Sequence, residues 1–466
     1  MAGFHVENFG CRAARADGEA IAGSLRGLCE SESVAADVVV VNTCSVTAEA
    51  DRAARAFIRR THRLNPAARI VVTGCYAQRA PEELAAMAGV AAVVGNSHKA
   101  LAPEIILELA RGTGHAANSL LPVASLLAAK GSEAGIAPIW ADDRFAHSFL
   151  EEAPEGSAPL APGAQTRPNL KIQEGCGNRC TFCVIPFTRG PSRSLPRASV
   201  MRQVEGFVGA GGKELVLSGI NLGRWGRDLP VSEEETLAGL VRDILQKTAL
   251  PRLRLSSIEP MDWSGELIAL LREFGGGRLA RHAHLPLQSG SDAVLRRMHR
   301  RYRPWHYAEK AEALLDAAGS DLTLGADVMV GFPGETDSEF LETVSLIRAL
   351  PFGYLHLFPF SPRPGTHAAL HAADQPGHEA VEERMAVLRA LAAEKCARHR
   401  RQFVGRALAA ITLHTPVALA ARQRTAALTE NFLPVVLEGR FDANRLLEVR
   451  VTGLNAEGEL EACAGA

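Results

Sequence analysis

Short apolar runs alternate with longer amphipathic segments in the first part of the chain. Residues 4–9, 37–42 and 69–73 form the apolar runs, and residues 17–28 and 48–64 have helical spacing. Continuous β-branched runs of this length are typical of strands buried on both faces of a parallel sheet. The alternation predicts an α/β sandwich with a parallel sheet, which we place at residues 1–112.

The same alternation continues between residues 167 and 398. Predicted strands lie at residues 169–173, 214–220, 252–256, 284–288, 326–330 and 354–358, and predicted helices at residues 197–209, 234–247, 264–274, 307–318 and 337–350. Six strand–helix units are fewer than a closed (β/α)8 barrel contains. The pattern therefore predicts an open (β/α)6 partial barrel.

Two further segments differ in composition. Residues 113–166 are rich in Ala, Gly, Ser and Pro, which predicts a connector, with a short helix at residues 120–130. In residues 399–466, short strands are predicted at residues 408–412, 425–428, 433–437 and 446–451. Such strands predict a small β-barrel of the oligonucleotide-binding type.

The amino-acid composition limits the cellular location and the binding partners that we expect for this protein. Hydrophobic residues are 47% and charged residues 22% of the chain, as in ordinary folded proteins. No apolar run is long enough for a bilayer, and residues 1–10 lack a basic patch and an apolar core. We expect a cytoplasmic monomer with no membrane segment. The net charge of −1 neither requires nor excludes nucleic acid.

The strongest chemical signal is the motif EGCGNRCTFC at residues 174–183, which contains Cys176, Cys180 and Cys183. Clustered thiolates select iron–sulfur, zinc or copper. Three cysteines with no fourth nearby predict a cubane that leaves one iron open to a ligand from outside the protein. The alternative is a zinc loop with a distant fourth ligand, but zinc sites usually pair two C-x-x-C hooks and no second hook is present.

Three more cysteines follow predicted strands of the N-terminal domain. Cys11, Cys44 and Cys75 each come just after an apolar run, beside small residues. Open parallel sheets bind ligands at the carboxyl ends of their strands, so these thiols could converge on a second 4Fe–4S cluster. The alternative is three unrelated buried cysteines, which behave as small hydrophobic side chains. Nine cysteines in all are too few for a disulfide scaffold and fit metal binding in a reducing compartment.

These motifs resemble a known family. The C-x-x-x-C-x-x-C spacing is that of radical S-adenosylmethionine (SAM) enzymes, and VNTCSVT (residues 41–47) and VTGCYAQ (residues 72–78) resemble the N-terminal domain of methylthiotransferases. TAEADR (residues 47–52) and VGN (residues 94–96) are most similar to the branch acting on N6-threonylcarbamoyladenosine in tRNA. One departure is Ala14, which stands where the family usually has asparagine.

The resemblance implies a reaction and its cofactors. Cys176, Cys180 and Cys183 would bind a 4Fe–4S cluster whose free iron chelates SAM and cleaves it to a 5′-deoxyadenosyl radical. The other three cysteines would bind an auxiliary 4Fe–4S cluster used in sulfur insertion at carbon 2 of the adenine. No catalytic side chain beyond the cluster ligands is implied. The partners would be the tRNA anticodon loop and an electron donor such as flavodoxin or ferredoxin.

Polar residues near predicted strand ends are candidates for the SAM pocket. Glu214 follows Gly211 and Gly212 at the position of the Gly-Gly-Glu motif of the superfamily, although Lys213 interrupts that motif. Each candidate also has an ordinary alternative as a turn, helix-cap or core residue. The predicted cofactor-binding residues are Phe182, Glu214, Ser257, Gln288 and Asp327.

Three features are candidates for RNA contact. Residues 299–303 mix basic and aromatic side chains, which suits single-stranded RNA but also a solvated helix end. Arg189 and Arg193 follow the central cysteines and are expected to meet a tRNA phosphate. Residues 405–465 resemble the TRAM domain of tRNA methylthiotransferases, with TENF (residues 429–432) at its characteristic turn. The alternative for this barrel is a dimerisation or lid module.

Two other functions stay open. The same chemistry could act on isopentenyl-adenosine in tRNA or on an aspartate of a ribosomal protein. A protein of a different class, a non-catalytic iron–sulfur RNA-binding protein, would also carry cysteine clusters and a small barrel.

Overall fold

The computed structural model describes residues 2–25, 28–111, 129–130, 136–142, 165–230 and 235–465. The chain divides into two compact units. The N-terminal unit comprises Met1–Glu155, Glu174–Arg193 and Ser361–Ala369, and the core unit comprises Gly156–Gln173, Ser194–Phe360 and Leu370–Ala466. The central cysteine loop therefore belongs to the N-terminal unit, although it lies within the predicted central domain.

A seven-stranded sheet forms the N-terminal unit, in the order β2-β1-β3-β4-β5-β7-β6. Its pairings are parallel except that of β6 with β7. The strands are β1 (Gly3–Asn8), β2 (Cys29–Glu30), β3 (Val38–Thr43), β4 (Arg69–Gly74), β5 (Val90–Gly95), β6 (Ala129–Lys130) and β7 (Ile139–Trp140). The three predicted strands are confirmed. The helix predicted at residues 120–130 lies outside the described residues except for Ala129–Lys130, which form a strand instead.

Helices cover both faces of this sheet. They are α1 (Arg12–Ser24), α2 (Ala48–Leu64), α3 (Cys75–Arg79), α4 (Pro81–Ala85) and α5 (Ala102–Ala110), with a 3-10 segment at Asn96–Leu101. Alternate residues of β3 pack on opposite sides, Val39 with Ile58 of α2 and Val40 with Ile21 of α1. This two-sided burial explains the unbroken β-branched runs. The first helix begins at Arg12, earlier than predicted.

The core unit contains six parallel strands, of which the fourth covers His282–His284 and so lies earlier than the strand predicted at residues 284–288. The six strands are β8 (Asn169–Glu174), β10 (Glu214–Gly219), β11 (Arg252–Leu255), β12 (His282–His284), β13 (Thr323–Val330) and β14 (Phe352–Pro359), and a short β9 (Arg193–Ser194) borders β8. The strands form two sheets, β11-β10-β8-β9 and β12-β13-β14. Among the described residues β14 pairs only with β13, so the (β/α)6 barrel is open as predicted.

The five helices predicted in this region are confirmed, and the described residues add short helices at Ile185–Arg189 and Asp292–Arg297 and a long one at His378–Arg401. In chain order, the helices are α6 (Ile185–Arg189), α7 (Arg197–Gly209), α8 (Leu237–Lys247), α9 (Gly265–Phe274), α10 (Asp292–Arg297), α11 (Pro304–Ala318), α12 (Asp337–Ala349) and α13 (His378–Arg401). Short 3-10 segments occur at Leu222–Arg224, Pro260–Asp262 and His367–Asp374. Within the described residues, no helix is both long enough and apolar enough to cross a lipid bilayer.

A closed five-stranded barrel ends the chain, in the order β15-β16-β17-β19-β18. Its elements are β15 (Ala407–Thr412), α14 (Val417–Ala420), β16 (Arg424–Thr429), β17 (Pro434–Glu438), β18 (Leu446–Leu454) and β19 (Leu460–Ala464). Four strands were predicted. The fifth, β19, has the sequence LEACA, which contains no β-branched residue and gives no strand signal.

The barrel is fastened to the amino-terminal ends of the core strands. Glu430 accepts hydrogen bonds from Arg281 Nε at 2.9 Å and Nη2 at 2.6 Å, just before β12. Asn431 donates to the carbonyl of Asp321, just before β13, at 3.0 Å. Phe432 packs on His282 with ring centroids 4.3 Å apart. The TENF turn therefore anchors the barrel to the sheet formed by β12, β13 and β14.

Removing the Glu430 carboxylate should weaken this attachment. The side chain is 1% exposed, and its loss removes the acceptor of the Arg281 Nε, Nη2 and backbone N–H groups, while the ion pair of Arg281 with Asp321 at 2.9 Å persists. We expect Glu430→Ala to lower the free energy of unfolding by about 2 kcal/mol, measured by urea unfolding followed by circular dichroism. Glu438→Ala is the control, because Glu438 is exposed at the end of β17. Equal urea midpoints for the two variants would contradict the anchoring role.

Candidate metal centres

Three cysteines meet at one edge of the N-terminal sheet. Cys44 directly follows β3, Cys75 directly follows β4, and Cys11 follows β1 after a short turn. The register pairs Asn8 with Asn42 and Thr43 with Gly74, so the carboxyl ends of the three neighbouring strands are level. The sheet thus brings together the N-terminal cysteine set, defined as Cys11, Cys44 and Cys75.

A glycine allows two of these cysteines to approach each other. Gly10 has φ +110°, a region that side-chain-bearing residues rarely adopt. A Cβ at this position would lie 2.8 Å from the Cys44 Sγ and 2.5 Å from its Cβ. Only glycine therefore lets the turn before Cys11 close over Cys44.

The electrostatics of this set call for a positive partner. Burial, and after it the neighbouring charges of Cys75 and Cys11, raise the pKa of Cys44 to about 12. Three thiolates this close repel one another unless a cation neutralises them. An iron–sulfur core supplies that charge and binds thiolates by preference, so the three residues fit a 4Fe–4S cluster.

The central cysteine set, defined as Cys176, Cys180 and Cys183, lies on the loop between β8 and α6. All three are partly exposed. The loop is closed at its base by a 3.0 Å hydrogen bond from Cys176 N to the carbonyl of Gly190. Gly175 has φ +69°, and a Cβ there would lie 2.0 Å from the carbonyl oxygen of Pro191. The donor set again fits a 4Fe–4S cluster, with three protein ligands and one open iron.

A buried arginine contacts the N-terminal set. Arg189, the last residue of α6, donates from Nε to the Cys75 Sγ at 3.2 Å and forms ion pairs with Asp17 and Glu174. Burial disfavours its charge, but Cys75, Glu174 and Asp17 raise the pKa of Arg189 well above its ordinary value. Because its side chain is 0% exposed, the expectation that Arg189 meets a tRNA phosphate is wrong.

A second ionic cluster supports the loop after Cys44. Asp51 of α2 pairs with Arg79 at 2.8 Å and with Arg363. Ser45 accepts hydrogen bonds from Arg79 Nε at 2.7 Å and from Arg363 at 3.2 Å. These residues fix the backbone beside Cys44. Sequence analysis did not identify them, because nothing in the spacing of the basic residues relates them to the cysteine.

In the core unit, Asp327 lies between two histidines. Its Oδ1 is 3.2 Å from His284 Nε2 and 3.2 Å from His356 Nδ1, and the three ligand atoms lie within 4.8 Å of one another. Burial raises the pKa of Asp327, but the hydrogen bonds and charges of the histidines outweigh burial and hold that pKa well below its usual range. The three side chains could bind a divalent cation or a polar group of a ligand.

Gln288 has two unusual features. Its φ is +63°, which is uncommon for a residue with a side chain. The residue is 7% exposed, and its Oε1 has no hydrogen-bond partner among the described residues. Its backbone N–H bonds to the carbonyl of Asp327 at 2.8 Å, so two predicted SAM-pocket residues are brought together. A buried unpaired amide oxygen in strained backbone is typical of a ligand site.

The structure corrects the assignment of Glu214 to SAM. Glu214 begins β10 and therefore lies at the amino end of the strand, away from the carboxyl edge where the pocket is expected. Its side chain is 0% exposed and pairs with Arg254 at 2.8 Å, Arg167 at 3.1 Å and Arg252 at 3.3 Å. Burial raises the pKa of Glu214, but these arginines outweigh burial and lower it to about 2. The carboxylate is a structural counter-ion.

Other predicted residues have mixed positions. Ser257, just beyond β11, and Phe182, in the central loop, are both partly exposed, and their assignments stay predictions.

Tyr302 is fully buried and donates to the carbonyl of Pro286 at 2.7 Å. Arg300 pairs with Glu259 at 2.7 Å. Stacking of Tyr302 on RNA is therefore wrong, because Tyr302 is a core residue. His299 and Arg301 are exposed just beyond the end of α10, which fits the alternative of a solvated helix end.

The chain matches two protein-family models. Residues 3–95 match "Uncharacterized protein family UPF0004", and residues 170–347 match the radical SAM superfamily. The structure of the radical SAM methyltransferase TsrM from Kitasatospora setae aligns with a TM-score of 0.57 at 15% identity, covering 79% of this chain and 77% of that one. The fold and the central cysteine loop define a radical SAM protein with an added N-terminal α/β domain.

Several curated relatives share most of the chain. Threonylcarbamoyladenosine tRNA methylthiotransferase MtaB of Bacillus subtilis is 34% identical over 418 residues, which are 89% of this chain and 85% of the relative. The protein of the same name from Aquifex aeolicus is 32% identical, covering 89% and 91%. The tRNA-2-methylthio-N(6)-dimethylallyladenosine synthase of Geobacter metallireducens is 33% identical, covering 78% and 77%. The chain belongs to the radical SAM methylthiotransferase family.

The N-terminal cysteine set is expected to hold its own cluster. We expect combined Cys11→Ala, Cys44→Ala and Cys75→Ala to halve the iron content, from about eight to about four atoms per chain, while SAM cleavage persists. Elemental analysis of the anaerobically reconstituted protein measures this. Cys463→Ala is the control, because Cys463 lies in the C-terminal barrel. Unchanged iron in the triple variant would exclude a second cluster at this set.

The central cysteine set is expected to be required for SAM cleavage. Replacing Cys176, Cys180 or Cys183 by Ala removes one of three cluster ligands, so 5′-deoxyadenosine formation from SAM and a chemical reductant should fall to background. Chromatography of the reaction products measures this. A variant that still cleaves SAM would refute the assignment. A wild-type protein that forms no 5′-deoxyadenosine would instead favour a non-catalytic iron–sulfur protein.

Proposed function

We propose that this chain converts N6-threonylcarbamoyladenosine next to the anticodon of tRNA to its 2-methylthio derivative. The hydrogen on carbon 2 of the adenine is replaced by a methylthio group. The observation that supports this most strongly is the presence of both cysteine sets in one compact unit. A single cluster would suffice to cleave SAM, whereas methylthiolation also needs a source of sulfur.

The cysteine sets would hold two different cofactors. Cys176, Cys180 and Cys183 would bind the SAM-cleaving cluster, and Cys11, Cys44 and Cys75 would bind the auxiliary cluster. When bound, the SAM-cleaving cluster supplies the electron that splits SAM, and the auxiliary cluster supplies the site used for sulfur insertion. Gly10 and Gly175 keep both loops compact, and Arg79 and Arg363 orient the backbone beside Cys44 through Ser45.

Core-unit residues would bind the small-molecule partner. Gln288 presents a buried amide oxygen without a hydrogen-bond partner among the described residues. Asp327 presents an ionised carboxylate held by His284 and His356. These acceptors suit the protonated amino group and ribose hydroxyls of SAM. We therefore keep Gln288, Asp327 and Ser257 as SAM-binding candidates of the core unit, and Phe182, in the N-terminal unit, as a separate candidate.

The choice of nucleoside rests on the relatives and on motifs. Relatives from B. subtilis and A. aeolicus carry the threonylcarbamoyladenosine name, whereas the G. metallireducens relative carries the dimethylallyladenosine name. TAEADR and VGN favour the first branch. The anticodon loop as RNA partner, a flavodoxin-type or ferredoxin-type electron donor, a monomeric state and a cytoplasmic location belong to the same proposal.

The proposal predicts a specific loss in tRNA. In a strain lacking this gene, mass spectrometry of digested tRNA should show loss of 2-methylthio-N6-threonylcarbamoyladenosine and accumulation of N6-threonylcarbamoyladenosine. Because the reaction needs the central cluster, the wild-type gene should restore the product and the Cys176→Ala gene should not.

Each alternative substrate has its own outcome in the same strain. Loss of the methylthio derivative of isopentenyl-adenosine would assign the chain to the other tRNA branch. Loss of methylthiolation on a ribosomal-protein aspartate, read by peptide mass spectrometry, would move the substrate from RNA to protein. Unchanged threonylcarbamoyl nucleosides would refute the proposal in either case.

A further inference from the structure

Four charged side chains are buried together in the N-terminal unit. Asp17 pairs with Lys99 at 2.5 Å and with Arg189 at 3.1 Å, and Arg189 also pairs with Glu174. None of the four side chains is more than 2% exposed. Two acidic and two basic groups balance formally, but burying four charges is costly and seldom benefits stability on its own. This cost points to a role beyond packing.

The network connects the surroundings of both cysteine sets. Asp17 lies on α1, which begins directly after Cys11, and Glu174 precedes Cys176 by two residues. Arg189 ends the helix that follows Cys183. The hydrogen bond from Arg189 Nε to the Cys75 Sγ at 3.2 Å therefore joins the central loop to the N-terminal set.

Arg189 has one donor left over on the side that faces the sulfur. In a planar guanidinium, the Nε–H and one N–H of Nη2 point in the same direction along one edge. Nε donates to Cys75, whereas Nη2 is buried and has no hydrogen-bond partner in the part of the chain that the structure describes. The edge can thus receive a second acceptor beside Cys75 Sγ.

A second donor reaches the same cysteine. Asn96 Nδ2 lies 3.5 Å from Cys75 Sγ and also donates to the carbonyl of Thr188 at 2.8 Å. Cys75 is 2% exposed, so these contacts lie in a low-dielectric environment where hydrogen bonds and charges act strongly. Hydrogen bonds to cluster sulfur favour the more negative, reduced state and raise the reduction potential.

We propose that Arg189 is a positioning residue that holds the auxiliary cluster side-on, donating from Nε to Cys75 and from Nη2 to an inorganic sulfur of that cluster. It thereby raises the reduction potential of the auxiliary cluster and keeps the central loop against the N-terminal set. The inference rests on the proposed function, because it requires Cys11, Cys44 and Cys75 to bind a cluster.

The test uses the full-length chain with Cys176, Cys180 and Cys183 replaced by Ala, so that only the auxiliary cluster is observed. In this background, Arg189→Lys keeps the charge but removes the fork, and Arg189→Met removes both. A redox titration followed by electron paramagnetic resonance should show a lower midpoint potential for Arg189→Lys and a still lower one for Arg189→Met. Asn96→Ala should give a smaller decrease.

A matched control is Arg69→Lys. Arg69 lies in the same unit at the amino end of β4, where it donates to the carbonyl of Leu109, far along the strand from Cys75. It should leave the potential unchanged. Pulsed resonance in D2O adds a direct readout, since the coupling of exchangeable protons to the cluster should weaken in Arg189→Met.

The outcomes separate this inference from the proposed function. A parent protein without auxiliary iron refutes the second cluster itself. A parent with iron, but with the same potential in Arg189→Lys, Arg189→Met and Asn96→Ala, overturns the role of Arg189 and leaves the cluster assignment standing. Loss of iron in both Arg189 variants, with Arg69→Lys retaining iron, also overturns it in favour of a purely structural role.

Discussion

The parallel register of β1, β3 and β4 is the constraint on which the N-terminal unit depends. Parallel pairing places the carboxyl ends of neighbouring strands at one edge, so residues distant in sequence share one location. Cys11, Cys44 and Cys75 all occupy that edge. Three thiolates gathered there require compensating positive charge, and this requirement explains why cationic and hydrogen-bond-donating groups surround them.

A second consequence of gathering the cysteines is that charged side chains are buried beside them. Arg189 donates to Cys75 and is held by Asp17 and Glu174, while Lys99 balances the remaining charge. An arginine in such surroundings keeps its charge because its neighbours are acidic. Around ordinary core cysteines, burying these charges would cost stability without a functional benefit. The arrangement suits a site that carries charge and whose charge changes.

In the core unit, structural contacts lie at the amino ends of the strands, and candidate ligand-binding groups lie elsewhere. At the amino ends, Glu430, Asn431 and Phe432 of the small barrel bind the segments before the strands, and Glu214 pairs with three arginines. Toward the other side, Gln288 and Asp327 carry polar atoms in strained or histidine-bound settings. Structural ion pairs and candidate ligand groups thus occupy different places along the core strands.

Sequence by itself determined the alternation of strands and helices in both units, the six parallel strands of the core and the two cysteine sets. Those features depend on local apolar period and on spacing within short motifs, which the chain displays directly. It did not distinguish Glu214 as a counter-ion, Arg189 as a buried donor or Tyr302 as a core residue, and it missed β19. Each of these depends on a partner distant in sequence. Glu214 pairs with three arginines, Arg189 donates to Cys75, Tyr302 donates to the carbonyl of Pro286, and β19 pairs with neighbouring strands of the barrel. Burial and pairing across long sequence separations are set only when the chain folds, so the tertiary structure alone decided them.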